Sequence, residues 1–130
     1  MAIRIVRLGS PRHSGEGVRL GTVRHPPRGV PKTRYSTDNF FDVWLPNLAP
    51  SAELLSEFRK SEANESAWKR FSRKYEVEMA RSENSRVLDT LAALSQESNF
   101  SVGCYCVEES KCHRGVLRRI LKKHGANVID

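Results

Sequence analysis

The stretch Phe100-Ser101-Val102-Gly103-Cys104-Tyr105-Cys106-Val107, running on through Glu108-Glu109-Ser110-Lys111 to Cys112-His113-Arg114, decides the fold. Its first eight residues carry no charge and are rich in β-formers, as a buried strand requires. From about Cys112 the period changes. Val116, Leu117, Ile120 and Leu121 recur on one helical face, and Gly125 stands where a left-handed C-terminal cap belongs. Asn127-Val128-Ile129 then reads as a last short strand. Strand, loop, helix, glycine, strand is a βαβ unit, which predicts a parallel final pairing through a right-handed crossover.

Working outward, residues 3–8 (IRIVRL) and 18–23 (VRLGTV) alternate apolar with basic or small residues, the period-two pattern of strands. The glycine- and proline-punctuated residues 9–17 between them form a loop. His25-Pro26-Pro27-Arg28-Gly29-Val30-Pro31 is a stiff, exposed, arginine-bearing loop, because three prolines forbid helix and remove backbone donors. Phe40–Leu45 fits either a short strand or a helical turn, ended by Pro46 and Pro50. Three helices follow. Ser51 caps the first, which places Leu54, Leu55 and Phe58 on one face; the second carries the stripe Trp68, Phe71, Tyr75 and Met79; the third turns Val87, Leu88, Leu91 and Leu94 inward. An aromatic stripe at this spacing is packing rather than a base-stacking platform. The expectation is a single small α/β domain over residues 1–130, its mostly parallel central sheet flanked by helices and ending in the βαβ unit.

Composition narrows the function classes. With 130 residues, 38% hydrophobic and 28% charged, the chain fits one core and is too apolar for a disordered protein. No run of eighteen uncharged apolar residues exists, so no membrane span is expected. The N-terminal Met1–Arg7 alternates charge with apolar residues, unlike a signal peptide. Three cysteines between positions 104 and 112 are too few and too local for a disulfide framework, and suit a reducing compartment. A cytoplasmic protein is expected.

The net charge of +7 is unevenly spread: residues 1–34 carry +7, residues 35–110 carry −5 and residues 111–130 carry +5. Were the two basic ends to meet, they would create a positive surface that concentrates phosphate-bearing ligands. A nucleotide or nucleic acid is the partner class this indicates, although a merely solvated basic surface has the same composition. No helix-turn-helix, zinc-finger or basic-zipper pattern points to sequence-specific DNA reading.

The chemistry-bearing residues collect where the strand at residue 104 hands over to the helix at residue 113. Ligands of open α/β sheets bind beyond the carboxyl ends of strands, and a helix N-terminus offers free amides to an anion. Three readings stay open. In the first, Arg114 clamps an anion, Lys111 adds potential, and Glu108 orients the arginine or meets a ligand hydroxyl. In the second, Cys106 or Cys112 is a nucleophile whose pKa is lowered by the helix terminus and by His113, Lys111 or Arg114. A phosphatase loop is excluded, since the position where it needs arginine after Cys106 holds Cys112. In the third, Cys104, Cys106, Cys112 and His113 bind zinc, but adjacent residues 112 and 113 converge poorly on one ion, so no metal site and no cofactor are expected. Buried cysteines that do nothing chemical, and a Cys106–Cys112 disulfide under oxidising conditions, complete the alternatives. His13 and His124 read as surface histidines.

Taken together, Val18-Arg19-Leu20, Arg24-His25-Pro26-Pro27-Arg28-Gly29, Trp44 with Leu48-Ala49-Pro50-Ser51, Cys106-Val107-Glu108 and Cys112-His113-Arg114 resemble domain-of-unknown-function family 488, the YeaO-like group, over nearly the whole chain. The resemblance implies a small cytoplasmic α/β protein in which Arg24, Arg28, the cysteines, Glu108 and Arg114 share one pocket, and it implies no reaction. The chain departs from the family at His25-Pro26, where an aliphatic residue and tryptophan are usual, so an expected aromatic wall is missing. The leading function is binding of a phosphate-bearing ligand through Arg24, Arg28 and Arg114. A thiol-dependent enzyme is the first rival, and a structural or partner-binding protein using the acidic middle block is the second.

Overall fold

A computed structural model of the chain describes residues 1–129. Four strands, β1 (Ile3–Arg7), β2 (Val18–Gly21), β3 (Val43–Trp44) and β4 (Phe100–Cys104), form one sheet in the order β1-β4-β2-β3, and every pairing is parallel. The four α-helices are α1 (Ala52–Lys60), α2 (Glu65–Met79), α3 (Ser82–Leu94) and α4 (His113–Lys123). After α4, Gly125 takes a φ of 89°, the left-handed value a residue with a side chain resists, and turns the chain back to the sheet. Val128 then bridges Ile3 in parallel. The chain therefore closes its βαβ turn beside β1, one strand away from β4, and through a single bridge rather than a full strand.

The register explains how the sheet is covered. Ile3, Phe100 and Val18 lie side by side, as do Arg4, Ser101 and Arg19, so alternate rows face opposite sides. Ile3, Phe100 and Val102 meet the helices, which contribute Leu54 from α1, Phe71, Tyr75 and Met79 from α2, Leu88 and Leu91 from α3, and Val116, Leu117, Ile120 and Leu121 from α4. The α2 aromatic stripe is packing, as its spacing predicts; Tyr75 is fully buried and its hydroxyl donates to the Leu48 carbonyl at 2.6 Å. The other face is closed by loops. There Arg19, fully buried in β2, pairs with Glu16 at 2.8 Å and donates to the carbonyls of Ser10 and Asn39, while Ser101 Oγ donates to Glu16 at 2.6 Å. Burial alone would raise the Glu16 carboxyl, but these hydrogen bonds and the Arg19 charge outweigh it and hold the pKa at about 2.

Two local expectations are corrected. Leu94 is 48% exposed, because the last turn of α3 runs past the core and Ser95 is the residue buried there. The strand from Phe100 ends at Cys104 rather than Val107, since residues 105–108 must swing out to enter a short 3-10 turn, Glu109–Lys111. The open choice at Phe40–Leu45 resolves to the two-residue edge strand β3, followed by a 3-10 turn at Pro46–Leu48. Ser51 caps α1 by accepting from the Leu54 amide at 3.1 Å, a contact of about 1 kcal/mol.

Candidate functional site

A cavity of about 520 Å³ opens beyond the carboxyl ends of β2 and β4. Its wall is mostly apolar, built from side chains such as Val23, Phe40, Pro50 and Leu55. The proline loop places Arg24, His25 and Arg28 on it, while the β4–α4 connection places Cys104, Tyr105, Cys106 and His113 on it. Prolines make that rim stiff, and Arg24 pins it further by donating from Nε to the Pro50 carbonyl at 3.0 Å and from Nη2 to Ala49 at 3.1 Å. Arg28 is exposed. The aromatic wall absent from His25-Pro26 comes from elsewhere. Tyr105 and Phe40 meet edge to face with centroids 6.3 Å apart, and the Tyr105 hydroxyl donates to the His25 carbonyl at 3.0 Å, tying the cysteine loop to the proline loop.

Arg114 does not face this cavity. It is 5% exposed, and its guanidinium donates to the carbonyls of Cys104, Cys106 (2.7 Å) and Val107 (3.2 Å) and to Cys104 Sγ at 3.6 Å. The expected anion clamp is thus corrected to a brace: the carbonyls of a loop that leaves the sheet need donors, and a buried guanidinium supplies several at once. Arg7 adds a bond to the Tyr105 carbonyl at 3.3 Å. The two basic ends of the chain do meet, but at the backbone of the cysteine loop.

Glu108 and Lys111 are also displaced from the expected pocket. They pair with each other at 3.6 Å, with side chains 62% and 80% exposed, and line no part of the cavity. The neighbouring acid carries the structural role, since Glu109 accepts from Arg118 at 2.6 and 2.9 Å. Gly115 permits that turn to lie on α4: a Cβ there would stand 2.6 Å from the Glu109 carbonyl oxygen.

The cysteines converge more closely than their spacing implies. Cys104 Sγ and Cys112 Sγ are paired as a disulfide, both residues nearly fully buried, with Cα atoms 7.8 Å apart. This replaces the Cys106–Cys112 pairing, because Cys106 lies past the strand end and is exposed and free. All three sulfurs nevertheless lie within 4.8 Å of one another. His113 is buried against Tyr75, and its Nε2 sits 2.7 Å from the Thr22 carbonyl. That contact requires a proton on Nε2, which leaves Nδ1 as the acceptor, 3.8 Å from Cys112 Sγ. Burial lowers the His113 pKa, against the Thr22 bond and with help from the Arg114 charge, to about 4. The ring is therefore neutral at pH 7 and a weak base. Of the two expected nucleophiles, Cys106 alone is accessible. His13 is exposed, and His124 is held by Asp89 at 2.6 Å.

Fold and site together define a small parallel α/β domain with an arginine-rimmed, thiol-bearing cavity at the carboxyl edge of its sheet. The chain belongs to the family described as the active DUF488-N3 subclade, DUF488-N3a, whose family model matches residues 3–125. That match bears out the resemblance to family 488 read from the arginine, cysteine and Cys112-His113-Arg114 motifs. No curated protein and no solved structure matches the chain. Among the described residues, no helix is long and apolar enough to cross a membrane.

Proposed function

We propose that the chain binds a small phosphate-bearing ligand of nucleotide size in the cavity between the proline loop and the cysteine loop. The observation that carries this reading is the placing of Arg24 and Arg28 on the rim of an otherwise apolar cavity of about 520 Å³, a volume that suits a small organic ligand. The exposed Arg28 guanidinium can match phosphate oxygens bidentately, while Arg24, whose Nε and Nη2 bond Pro50 and Ala49, adds positive charge at the rim. The Phe40 and Tyr105 rings offer flat apolar contact to the uncharged part of such a ligand. Nucleic acid fits less well than a free nucleotide, because the arginines gather at one cavity mouth rather than along a groove. Calorimetric titration with nucleoside monophosphates tests the reading. Arg28→Ala, at an exposed position, weakens binding at least tenfold while the protein stays folded; equal affinity in both proteins overturns it.

A second reading, a thiol-dependent enzyme acting on that ligand, is favoured by the exposed Cys106 on the same cavity wall. In it, Cys106 is the nucleophile, and neutral His113 serves as a hydrogen-bond partner rather than a strong base. Turnover of a bound monophosphate that disappears in Cys106→Ser supports this reading. Turnover that survives the change removes it.

A further inference from the structure

We infer that Cys104, Cys106 and Cys112 form a site for one thiophilic metal ion, zinc in the first instance, with a coordination position left open toward the cavity. The inference is independent of the phosphate-binding reading, since it uses none of the rim arginines. Three sulfurs within 4.8 Å of one another, from a strand end, a loop and a helix start, are close enough to share one ion once the Cys104–Cys112 bond is reduced. With zinc–sulfur bonds of about 2.3 Å, tetrahedral ligands stand about 3.8 Å apart, within that spread. The backbone agrees. The Cys104 and Cys112 Cα atoms are 7.8 Å apart, outside the roughly 4.4–6.8 Å over which a disulfide is comfortable. An ion between the two sulfurs accommodates the wider span.

The surroundings suit thiolates. Arg114 donates to Cys104 Sγ at 3.6 Å and to the carbonyls of Cys104, Cys106 and Val107, so a buried positive charge both offsets the cluster and fixes its loop. Cys112 stands at the N-cap of the eleven-residue helix α4, whose first amides add positive potential. The group of ligand atoms that come within 4.8 Å of one another is Cys104, Cys106 and Cys112 without His113, so the protein supplies three donors. Cys106 is exposed and lines the cavity, which puts the fourth position of a tetrahedral ion within reach of water or a bound ligand. Binding releases the thiol protons to solvent. The Cys104–Cys112 disulfide must first accept two electrons and two protons from a thiol reductant, so the oxidised chain holds no ion at this site.

The test is a titration of the full-length chain, reduced with dithiothreitol and desalted without oxygen, with Co²⁺ as a spectroscopic stand-in and Zn²⁺ as competitor. One ion per chain is expected, with sulfur-to-cobalt charge-transfer absorption that zinc abolishes and that the oxidised chain fails to develop. Cys106→Ser, at an exposed position that leaves folding intact, lowers affinity at least about a hundredfold, and circular dichroism confirms the fold. Absence of the charge-transfer band in the reduced chain, or unchanged affinity in Cys106→Ser, overturns the site. Arg28→Ala keeps the metal affinity of the parent while losing the monophosphate, so failure of one reading is separable from failure of the other.

Discussion

Arg114 Nη1 lies 2.7 Å from the carbonyl oxygen of Cys106 and donates to it, so the arginine best placed in the sequence to clamp an anion instead holds the shape of the cysteine loop. Removing it takes a charged donor from the Cys106 and Val107 carbonyls and leaves the Cys104 carbonyl with the Leu8 amide alone; a hydrogen bond to a charged group is worth roughly 1.5–3 kcal/mol. Arg114→Ala is therefore expected to lower unfolding stability by about 2–3 kcal/mol, read by urea denaturation. Arg114→Lys restores little, since one ammonium cannot span acceptors on residues 104, 106 and 107. A fully stable Arg114→Ala protein that had lost its ligand would return the residue to the anion site.

Glu16 and Arg19 form a pair whose side chains are 1% and 0% exposed. The folded-state pKa of Glu16, about 2, lies below its ordinary 4.5. Its contribution is thus fully present above about pH 4.5 and is lost as pH falls toward 2, a difference of about 3 kcal/mol. Glu16→Gln should flatten the acid limb of the stability profile and lower stability at pH 7 by about 3 kcal/mol, since the buried guanidinium keeps its carbonyl acceptors but loses its counter-charge. An acid limb of the same slope in Glu16→Gln would place the titration elsewhere.

Exposure separates the thiols. In reduced, metal-free protein Cys106 should react with iodoacetamide at least tenfold faster than Cys104 and Cys112, which are 1% and 2% exposed. Added zinc should slow the Cys106 reaction. Mass-spectrometric mapping of label against time reports both effects, and equal rates at all three positions would mean that the loop opens as a unit.

Gly115 tests the seating of the loop on α4. Alanine would ordinarily gain up to about 1 kcal/mol over glycine in a helix, but in the first turn of α4 its Cβ meets the Glu109 carbonyl at 2.6 Å, so the 3-10 turn must shift. Gly115→Ala should lower stability by about 1 kcal/mol net in thermal unfolding. A stabilised variant would show that the turn moves freely.

Elements with a strong period were readable from the chain because burial writes itself into spacing: the stripe from Trp68 to Met79 and the Val116–Leu121 face meet the core, and the first five residues of the uncharged run, Phe100–Cys104, are buried, as that spacing requires. Closure of the βαβ turn against β1 was not readable, because Val128 meets Ile3 from the far end of the chain and carries no local mark of its partner. The site divides along the same line. Arg24, Arg28, Cys106 and His113 reach one cavity, whereas Arg114, Glu108 and Lys111, adjacent in sequence to those cysteines, point away from it. The direction of a side chain leaving a loop depends on which carbonyls need donors, and that is a tertiary property. Tyr105 and Phe40 were missed as cavity walls, though Tyr105 between two cysteines at a strand end was a signal available in the sequence. Glu16, the single acid of the basic first block, was the available signal for the buried pair.

Native mass spectrometry of the gently purified chain, alone and after incubation with nucleoside monophosphates and the corresponding nucleosides, tests the ligand site most directly. The cavity reading predicts a one-to-one adduct with at least one monophosphate, at least tenfold weaker for the nucleoside and for Arg24→Ala or Arg28→Ala. Adducts of equal strength with and without the phosphate, or in parent and arginine variants, or no adduct at millimolar concentration, would contradict it.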